Sequence, residues 1–484
     1  MVLLVVLVVV TMLSLAGFSF AEWMFVEHQS TRLFGEALQI EYVMQSGEEF
    51  AKWFAEQPWQ DQQQAGGTSD NPDLLRGVAV LEDRRSGRRG RFSLVAQRVE
   101  DGQVTGVRFG LENESARLNL AVLIEWDRVK PGSGRQALLR LPGMTVETAD
   151  ALLDWIDSDS QPREYGAEDD YYTGLDPPYA ARNGIPVTLE ELLLIKEMPG
   201  DRLFGPDPWS QANEDPTSTG QGQATERPSV ATDGPLEGEL PWASLLTLYS
   251  AERNATSDGQ PRIGLNGGDL AALHRRLTEK LGREWADLIV AYRQYGPYTG
   301  PEAPSRQSPP TIDVTLPARF ALTTILDLVG ARVMVPSTKD DSFTLLDSPL
   351  TREQVATSDA LARLLELTTI DVSPVIIGRI DLNTASSTVL RAIPGMDDAT
   401  AERILAARSA LSDGNLPPKR RSPAWPLTEG LIDLKTMKRL LPYVTTHGDV
   451  YRTQVVGFFD TRGPSSRVEI VIDAAHRPAR EVYR

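Results

Sequence analysis

The chain has no cysteine in its 484 residues. That absence excludes disulfides, thiol catalysis and cysteine-ligated zinc, and it fits a periplasmic protein. Histidine is nearly as scarce. His28, His274, His447 and His476 are scattered, with no metal-ligand spacing. There is no nucleophile elbow and no Gly-rich phosphate loop, so no catalytic constellation forms and an enzyme is not expected. Paired carboxylates occur, as they must in so acidic a chain. Basic residues are outnumbered: 49 Lys and Arg face 67 Asp and Glu, a net charge of −18. Such a surface repels polyanions, which makes nucleic acid a poor partner. Apolar residues make up 41%, enough for real cores. The length suggests roughly three domain-sized units.

Charge is missing altogether from the first stretch, MVLLVVLVVVTMLSLAGFSFA, Met1 through Ala21. About twenty apolar residues in a helix rise about 30 Å, the thickness of a bilayer core. The competing reading is a cleaved secretory signal. Ser19-Phe20-Ala21 offers small residues for it, but there is no basic n-region and the apolar run is long. The next stretch has no proline before Pro58. Leu33, Ala37, Ile40, Val43, Phe50, Trp53 and Phe54 recur at helical spacing, with charged residues on the other face. One long helix is therefore expected to run from the membrane into water and to end near Pro58.

Beyond it, GVAVLEDRRSGRRGRFSLVAQRV and GVRFGLEN alternate apolar and polar residues around Gly and Asp, the pattern of antiparallel strands. Arg84-Arg85-Ser86-Gly87-Arg88-Arg89 reads as a solvated hairpin tip. Residues 131–205 read as helical around an acidic loop. Residues 206–240 are polar and rich in Pro and Gly; they cannot bury enough apolar area to offset ordering, so a disordered linker is expected. A helical unit at 241–300 and a second linker at 301–312 follow, then a mixed segment at 313–378. RIGLN at Arg262–Asn266 echoes RIDLN at Arg379–Asn383, a degenerate internal duplication. At the end, VYRTQVVGFFD and SRVEIVIDAA flank a Gly-Pro turn and read as a hairpin (residues 447–484) that returns to the earlier strands.

Two stretches read almost alike: LPGMTVETADALLDWI (Leu141–Ile156) and IPGMDDATAERILAAR (Ile393–Arg408). Both fit a helix-hairpin-helix (SAM-like) unit, a device best known for gripping DNA. In the DNA-binding form a second Gly lets backbone N–H groups approach a phosphate at the next helix's N-terminus. Here those positions are Thr145 and Asp397. Asp397-Asp398 would set two carboxylates against a phosphate, and like charges about 4 Å apart repel by roughly 1 kcal/mol even in water. A packing role is expected instead. The alternative is a membrane-anchored helix-hairpin-helix protein for DNA binding or uptake.

Asp154, Asp157, Asp159, Glu164, Glu168, Asp169 and Asp170 crowd one Gly-bearing loop. Hard oxygen donors at this density suit Ca²⁺, although the spacing is not that of an EF-hand; a plain solvated acidic loop is the other reading.

The stretch LLDWIDSDSQPREYGAEDDYYTGLDPPYAARNGIPVTLEELLLIKEM (Leu152–Met198) resembles the central segment of the K-type minor pseudopilin of type II secretion systems. Its cues are Trp155-Ile156-Asp157, Gly166-Ala167-Glu168-Asp169 before Tyr171-Tyr172, Asp176-Pro177-Pro178-Tyr179, and a helix opening at VTLEELLLIKEM. The match continues at IDLNTASSTVLRAIPGM (Ile380–Met396). Together with the N-terminal helix and the C-terminal strands it covers about half the chain.

The resemblance implies an α+β fold. Residues 1–21 form a transmembrane segment and 22–58 an amphipathic spine. A pilin-like antiparallel sheet is built from 59–130 and 447–484. Between them lies a large, mostly α-helical insertion, with hairpin units at 131–205 and 379–446. The implied role is non-enzymatic: an inner-membrane, single-pass protein with its bulk in the periplasm, joining the I- and J-type minor pseudopilins at the pseudopilus tip. Calcium is implied too, with Asp157, Asp159, Glu164, Glu168 and Asp169 as candidate ligands. The chain departs from the pattern in two further respects. It opens at Met1 without a short basic leader ending in Gly, so either it starts at or near the mature N-terminus or its start is misassigned. It also carries an extra segment near 206–370. The Glu that most pilins carry early in the apolar run is replaced here by Val5 and its neighbours, a lack that marks the K subunit.

Overall fold

The computed structural model describes the chain apart from residues 84–87, 101–102, 206–239, 301–311, 337–342, 410–416 and 461–463. The two predicted linkers and the core of the arginine-rich turn therefore lie almost wholly outside the described residues. Helix α1 runs unbroken over Val2–Glu56. Pro58 ends it, because the residue before a proline is driven out of the helical region; Gln57 is extended, with φ −60° and ψ 147°. A short helix α2, Trp59–Gln64, starts directly after. Among the described residues α1 alone is long and apolar enough to cross a membrane. Its apolar start is exposed throughout. From Ile40 onward one face is buried, through Val43, Met44, Gly47, Ala51 and Phe54.

That face lies on a sheet. The strands include β1 (Val78–Asp83), β2 (Arg88–Glu100), β3 (Gln103–Phe109), β4 (Glu112–Asn113), β5 (Ala251–Arg253), β6 (Val375–Ile377), β7 (Val450–Phe459), β8 (Ser466–Asp473) and β9 (Arg480–Tyr483). Seven of them form one antiparallel sheet in the order β1-β2-β7-β8-β9, with β3 on β2 and β4 on β7. The C-terminal hairpin thus returns beside the early strands as expected, and β9 adds a strand beyond it. Alternation decides which side is buried: on β7, Tyr451 and Val455 face the helix while Val456 stays half-exposed. Two glycines set the spacing. A Cβ on Gly47 of α1 would lie 2.6 Å from Val455, and one on Gly457 would lie 2.8 Å from Met44. Phe54, Phe92 and Leu94 fill this core, each worth roughly 1.5–3 kcal/mol when fully buried.

The inserted head forms a second, larger apolar core. Its helices include α3 (Leu123–Val129), α4 (Ser133–Leu138), α5 (Val146–Ile156), α6 (Leu270–Leu281), α7 (Arg283–Tyr295), α8 (Ala360–Leu367), α9 (Ser387–Ala392) and α10 (Asp398–Ser409). The echo of RIGLN and RIDLN has a structural meaning, and the repeat occurs three times among the described residues. Leu118–Asn119 pairs in parallel with Leu246–Thr247, Ile263–Gly264 with Thr368–Thr369, and Ile380–Asp381 with Val444–Thr445. Each helical unit is framed by such a two-residue pair. The unit predicted as helical over 241–300 accordingly opens with short strands, because its first residues close one frame and begin the next. VTLEELLLIKEM is also corrected: Leu189–Leu194 form a 3₁₀ turn rather than an α-helix, with Leu189 and Leu192 buried in the head.

Charged pairs and a small apolar cluster join head to sheet: Ala251, Tyr249 and Val375 pack with Val450, Val471 and Ala475. Arg452 of β7 meets Glu114 at 2.7 Å and Arg253 meets Asp449 at 2.7 Å, while within the head Arg379 meets Glu252 at 2.9 Å. Burial works to raise the carboxyl pKa values of Glu114 and Glu252. Arg117 and Arg452 beside the first, and Arg379 beside the second, outweigh it and hold both below the usual range. Arg253 also reaches the carbonyls of Glu56 and Gln57 at 3.5 and 3.4 Å. A cation there complements the C-terminal end of the α1 dipole.

Candidate metal centre

The two Pro-Gly-Met turns are tight in the same way. Gly143 and Gly395 both take left-handed conformations, with φ of 68° and 84°, which a side chain would resist. Each turn folds one helix against the next, α4 on α5 and α9 on α10. The two hairpins also meet each other, with Arg140 within 3.4 Å of Asp398. In the second unit the acidic pair is engaged inside the fold. Asp397 accepts from the Thr400 amide at 2.7 Å as the helix cap, and Asp398 also lies 3.6 Å from Arg391. The N-terminus of α10 is therefore held by carboxylates.

The first unit ends differently. Helix α5 carries a row of buried acids towards its C-terminus. Asp150 is fully buried and pairs with Arg135 at 2.6 Å. Asp154, also fully buried, and Asp157 each lie 2.6 Å from Arg163 Nη1. The chain then loops back so closely that a Cβ on Gly166 would fall 1.7 Å from Asp154 Oδ2. Only glycine fits there. Behind the loop, Trp155, Tyr172 and Tyr179 pack ring against ring, with Trp155 and Tyr172 edge to face at 5.1 Å. Trp155 Nε1 donates to Glu191, and burial pushes the Tyr172 hydroxyl up to about 12.

On this scaffold Asp157, Asp159 and Glu168 converge, each offering an oxygen within 4.8 Å of the others. Asp157 and Glu168 are buried, and Asp159 is exposed. Both oxygens of Glu168, and Oδ1 of Asp157, are buried with no hydrogen-bond partner. Buried carboxylate oxygens without a partner are rare in proteins, and hard anionic oxygens are the donors that Ca²⁺ takes. The electrostatics agree. Burial first, then the charges of Asp154, Asp157, Asp159 and Asp169, push the Glu168 carboxyl up to about 7. Burial likewise raises Asp154 and Asp157, against the pull of Arg163.

Of the five residues expected from sequence, the structure brings these three together. Glu164 is exposed and outside the group. Asp169 turns to the neighbouring loop, where its Oδ1 accepts from the Ala181 amide at 2.7 Å. Sequence reasoning missed Arg163 and Gly166. A signal for Arg163 exists, since it is the one basic residue between Asp154 and Asp170.

This segment is also the part of the chain with a recognisable family. Residues 116–204 match the family model described as type II secretion system (T2SS), protein K. The resemblance read from Leu152–Met198 therefore holds over a stretch that includes α3, both helices of the first hairpin and the carboxylate cluster. Among solved structures, the chain is similar to one from the GspK-GspI-GspJ complex of the enterotoxigenic Escherichia coli type 2 secretion system. The TM-score is 0.36 and the identity 11%, over 94% of this chain and 97% of that one. At that score the likeness carries no argument about partners. No curated protein sequence matches the chain.

Proposed function

We propose that the chain is the K-type minor pseudopilin of a type II secretion system, a non-enzymatic subunit held in the inner membrane by α1 with its bulk in the periplasm. In this reading it joins I- and J-type minor pseudopilins in a complex at the pseudopilus tip, starts filament assembly there and serves protein export. The observation that carries the reading is the protein K match over residues 116–204, in a chain whose apolar N-terminal helix continues as the spine of an antiparallel sheet. The apolar run supports a tip position. Its early part has no carboxylate to pair with a subunit above, and a buried charge without a partner would only destabilise a terminal subunit. The bulky head suits the same place, where nothing stacks on top. Calcium belongs to the reading as well: Asp157, Asp159 and Glu168 would hold it, and the ion would neutralise charges that otherwise repel.

The test is co-purification of the full chain from native membranes with its I- and J-type neighbours, alongside protease accessibility in spheroplasts. A stable ternary complex and a digestible head are expected. A chain that purifies alone, or a head protected inside the cell, overturns the assignment.

A further inference from the structure

Arg163 is a cation built into a cluster that is proposed to hold a cation. Two physical roles are open to it. A tethered guanidinium can compete with a metal ion for the carboxylates, or it can hold one of them in place for the ion. The geometry separates the two.

Asp150, Asp154 and Asp157 follow at i, i+4 and i+7 along α5 and its C-cap, so they share one face. All three are buried. Asp154 and Asp157 also stand at the negative end of the helix dipole, where a carboxylate is destabilised and a cation is favoured. The three are not engaged alike. Asp150 is taken by Arg135 at 2.6 Å and accepts from the Tyr165 amide at 3.4 Å. Asp154 accepts from Arg163 Nη1 at 2.6 Å and from the Arg163 backbone N–H at 3.1 Å. Asp157 accepts from the same Nη1 through its Oδ2, again at 2.6 Å, while its Oδ1 has no hydrogen-bond partner.

Arg163 is pinned in this position. Nη1 carries two N–H bonds, and each goes to a different carboxylate. The backbone amide of Arg163 is tied to Asp154 as well, so one fully buried carboxylate fixes both ends of the residue. The Gly166 amide then closes a turn onto the Arg163 carbonyl at 3.1 Å, with Gly166 pressed against Asp154. A guanidinium held at so many points does not swing aside for an incoming ion. Its effect is to divide Asp157: Oδ2 is drawn back onto Nη1, and Oδ1 is left for the cluster, beside a Glu168 whose two oxygens also lack partners.

We propose that Arg163 is the positioning residue of this centre: anchored on Asp154, it holds Asp157 by Oδ2 so that Oδ1 is presented, with Asp159 and Glu168, to a divalent cation. This rests on the calcium assignment proposed for the cluster and adds to it a requirement for the arginine.

The test is calorimetric titration of the full chain in detergent micelles with calcium, on the parent, Arg163→Gln and Arg163→Lys, with unfolding in chelator measured in parallel. Losing the outer partner of a metal ligand costs about 10–100-fold in affinity. Calcium affinity should therefore fall about tenfold or more in Arg163→Gln, even though a positive charge beside the ion has been removed. Arg163→Lys, whose ammonium can still bridge two carboxylates, should recover part of the loss. A competing guanidinium gives the opposite order, with Arg163→Gln binding calcium more tightly than the parent, and that result overturns the proposal. Parental affinity in both variants does so too, since Arg163 would then act only on the unfolding measured in chelator. Where Arg163→Gln does not fold, Arg163→Lys decides: weaker calcium binding than the parent supports the proposal, and equal or tighter binding overturns it. A parent chain that binds no calcium sinks the calcium assignment and this proposal together, whereas a parent and variants that bind alike sink only the role of Arg163.

Discussion

The two hairpins share a turn and part company at the end of the helix that follows. In the second, every carboxylate near the turn has a partner: Asp397 caps its own helix and Asp398 faces Arg140 and Arg391. In the first, α5 delivers its acids into a loop where one arginine serves two of them and Glu168 is left with none. The difference teaches what local charge closure does. The same fold device is complete in itself when its charges close locally; when they do not, buried carboxylate oxygens are left without partners.

That contrast can be broken most sharply at Asp154. Replacing it by Ala leaves Arg163 half-paired in a buried site. A loss of roughly 3–5 kcal/mol is expected, nearer the lower figure because Asp157 remains. Chemical denaturation of the full chain in chelator measures it, and a loss below about 1 kcal/mol would show that the pair is not structural.

Next in size is the pH response of Glu168. Its folded pKa of about 7 stands above the ordinary 4.5, so the folded state binds the extra proton between those values. Stability from this group is fully present below about pH 4.5 and is lost as pH rises through 7, by about 3 kcal/mol. Calcium should reverse the trend. A ligand bound only by the folded state adds about 2.7 kcal/mol at a hundredfold excess over its Kd. Magnesium, which demands a tighter octahedron, should do less. Melting of the chain and of Glu168→Gln and Asp157→Ala across pH 4.5–7.5, with chelator, calcium or magnesium, reads both effects. If Glu168→Gln keeps the parent's pH slope, or calcium acts no better than magnesium, the cluster is merely acidic.

The second hairpin should respond only as a packing device. Asp397→Ala removes a helix cap and should cost about 1 kcal/mol, with no change in the calcium response. A calcium shift altered by this variant would mean that the hairpins are coupled. Smallest of all, a double-mutant cycle on Arg140 and Asp398 should give a coupling of about 0.2–1 kcal/mol, since both side chains are about half exposed. A larger coupling would make that contact a main weld of the head.

Much of this was legible from local pattern. The helix α1 could be read to within two residues, because a proline-free amphipathic run ending at Pro58 has few other solutions. The Pro-Gly turns announced both hairpins. The carboxylate cluster could be placed but not resolved into its members. Glu168 and Asp169 are neighbours of the same charge, and which one turns inward depends on where the short helix Asp169–Tyr172 begins and how Tyr172 packs. The third frame escaped notice because Leu118 meets Leu246 only in space. A two-residue strand has no period to read, and its partner lies far along the chain.

Those frames bear on how such a head can grow. Each unit leaves and re-enters the neck through a parallel pair, so its two ends are fixed side by side whatever lies between them. Closing a loop twice as long costs only about 0.6 kcal/mol more. Added sequence inside a frame thus costs little in closure entropy, whereas one residue inserted beside Glu114 or Glu252 would displace that carboxylate from its arginine. Related chains should accordingly differ in length within the frames and hold their spacing at them, like purses of different sizes drawn shut by the same string.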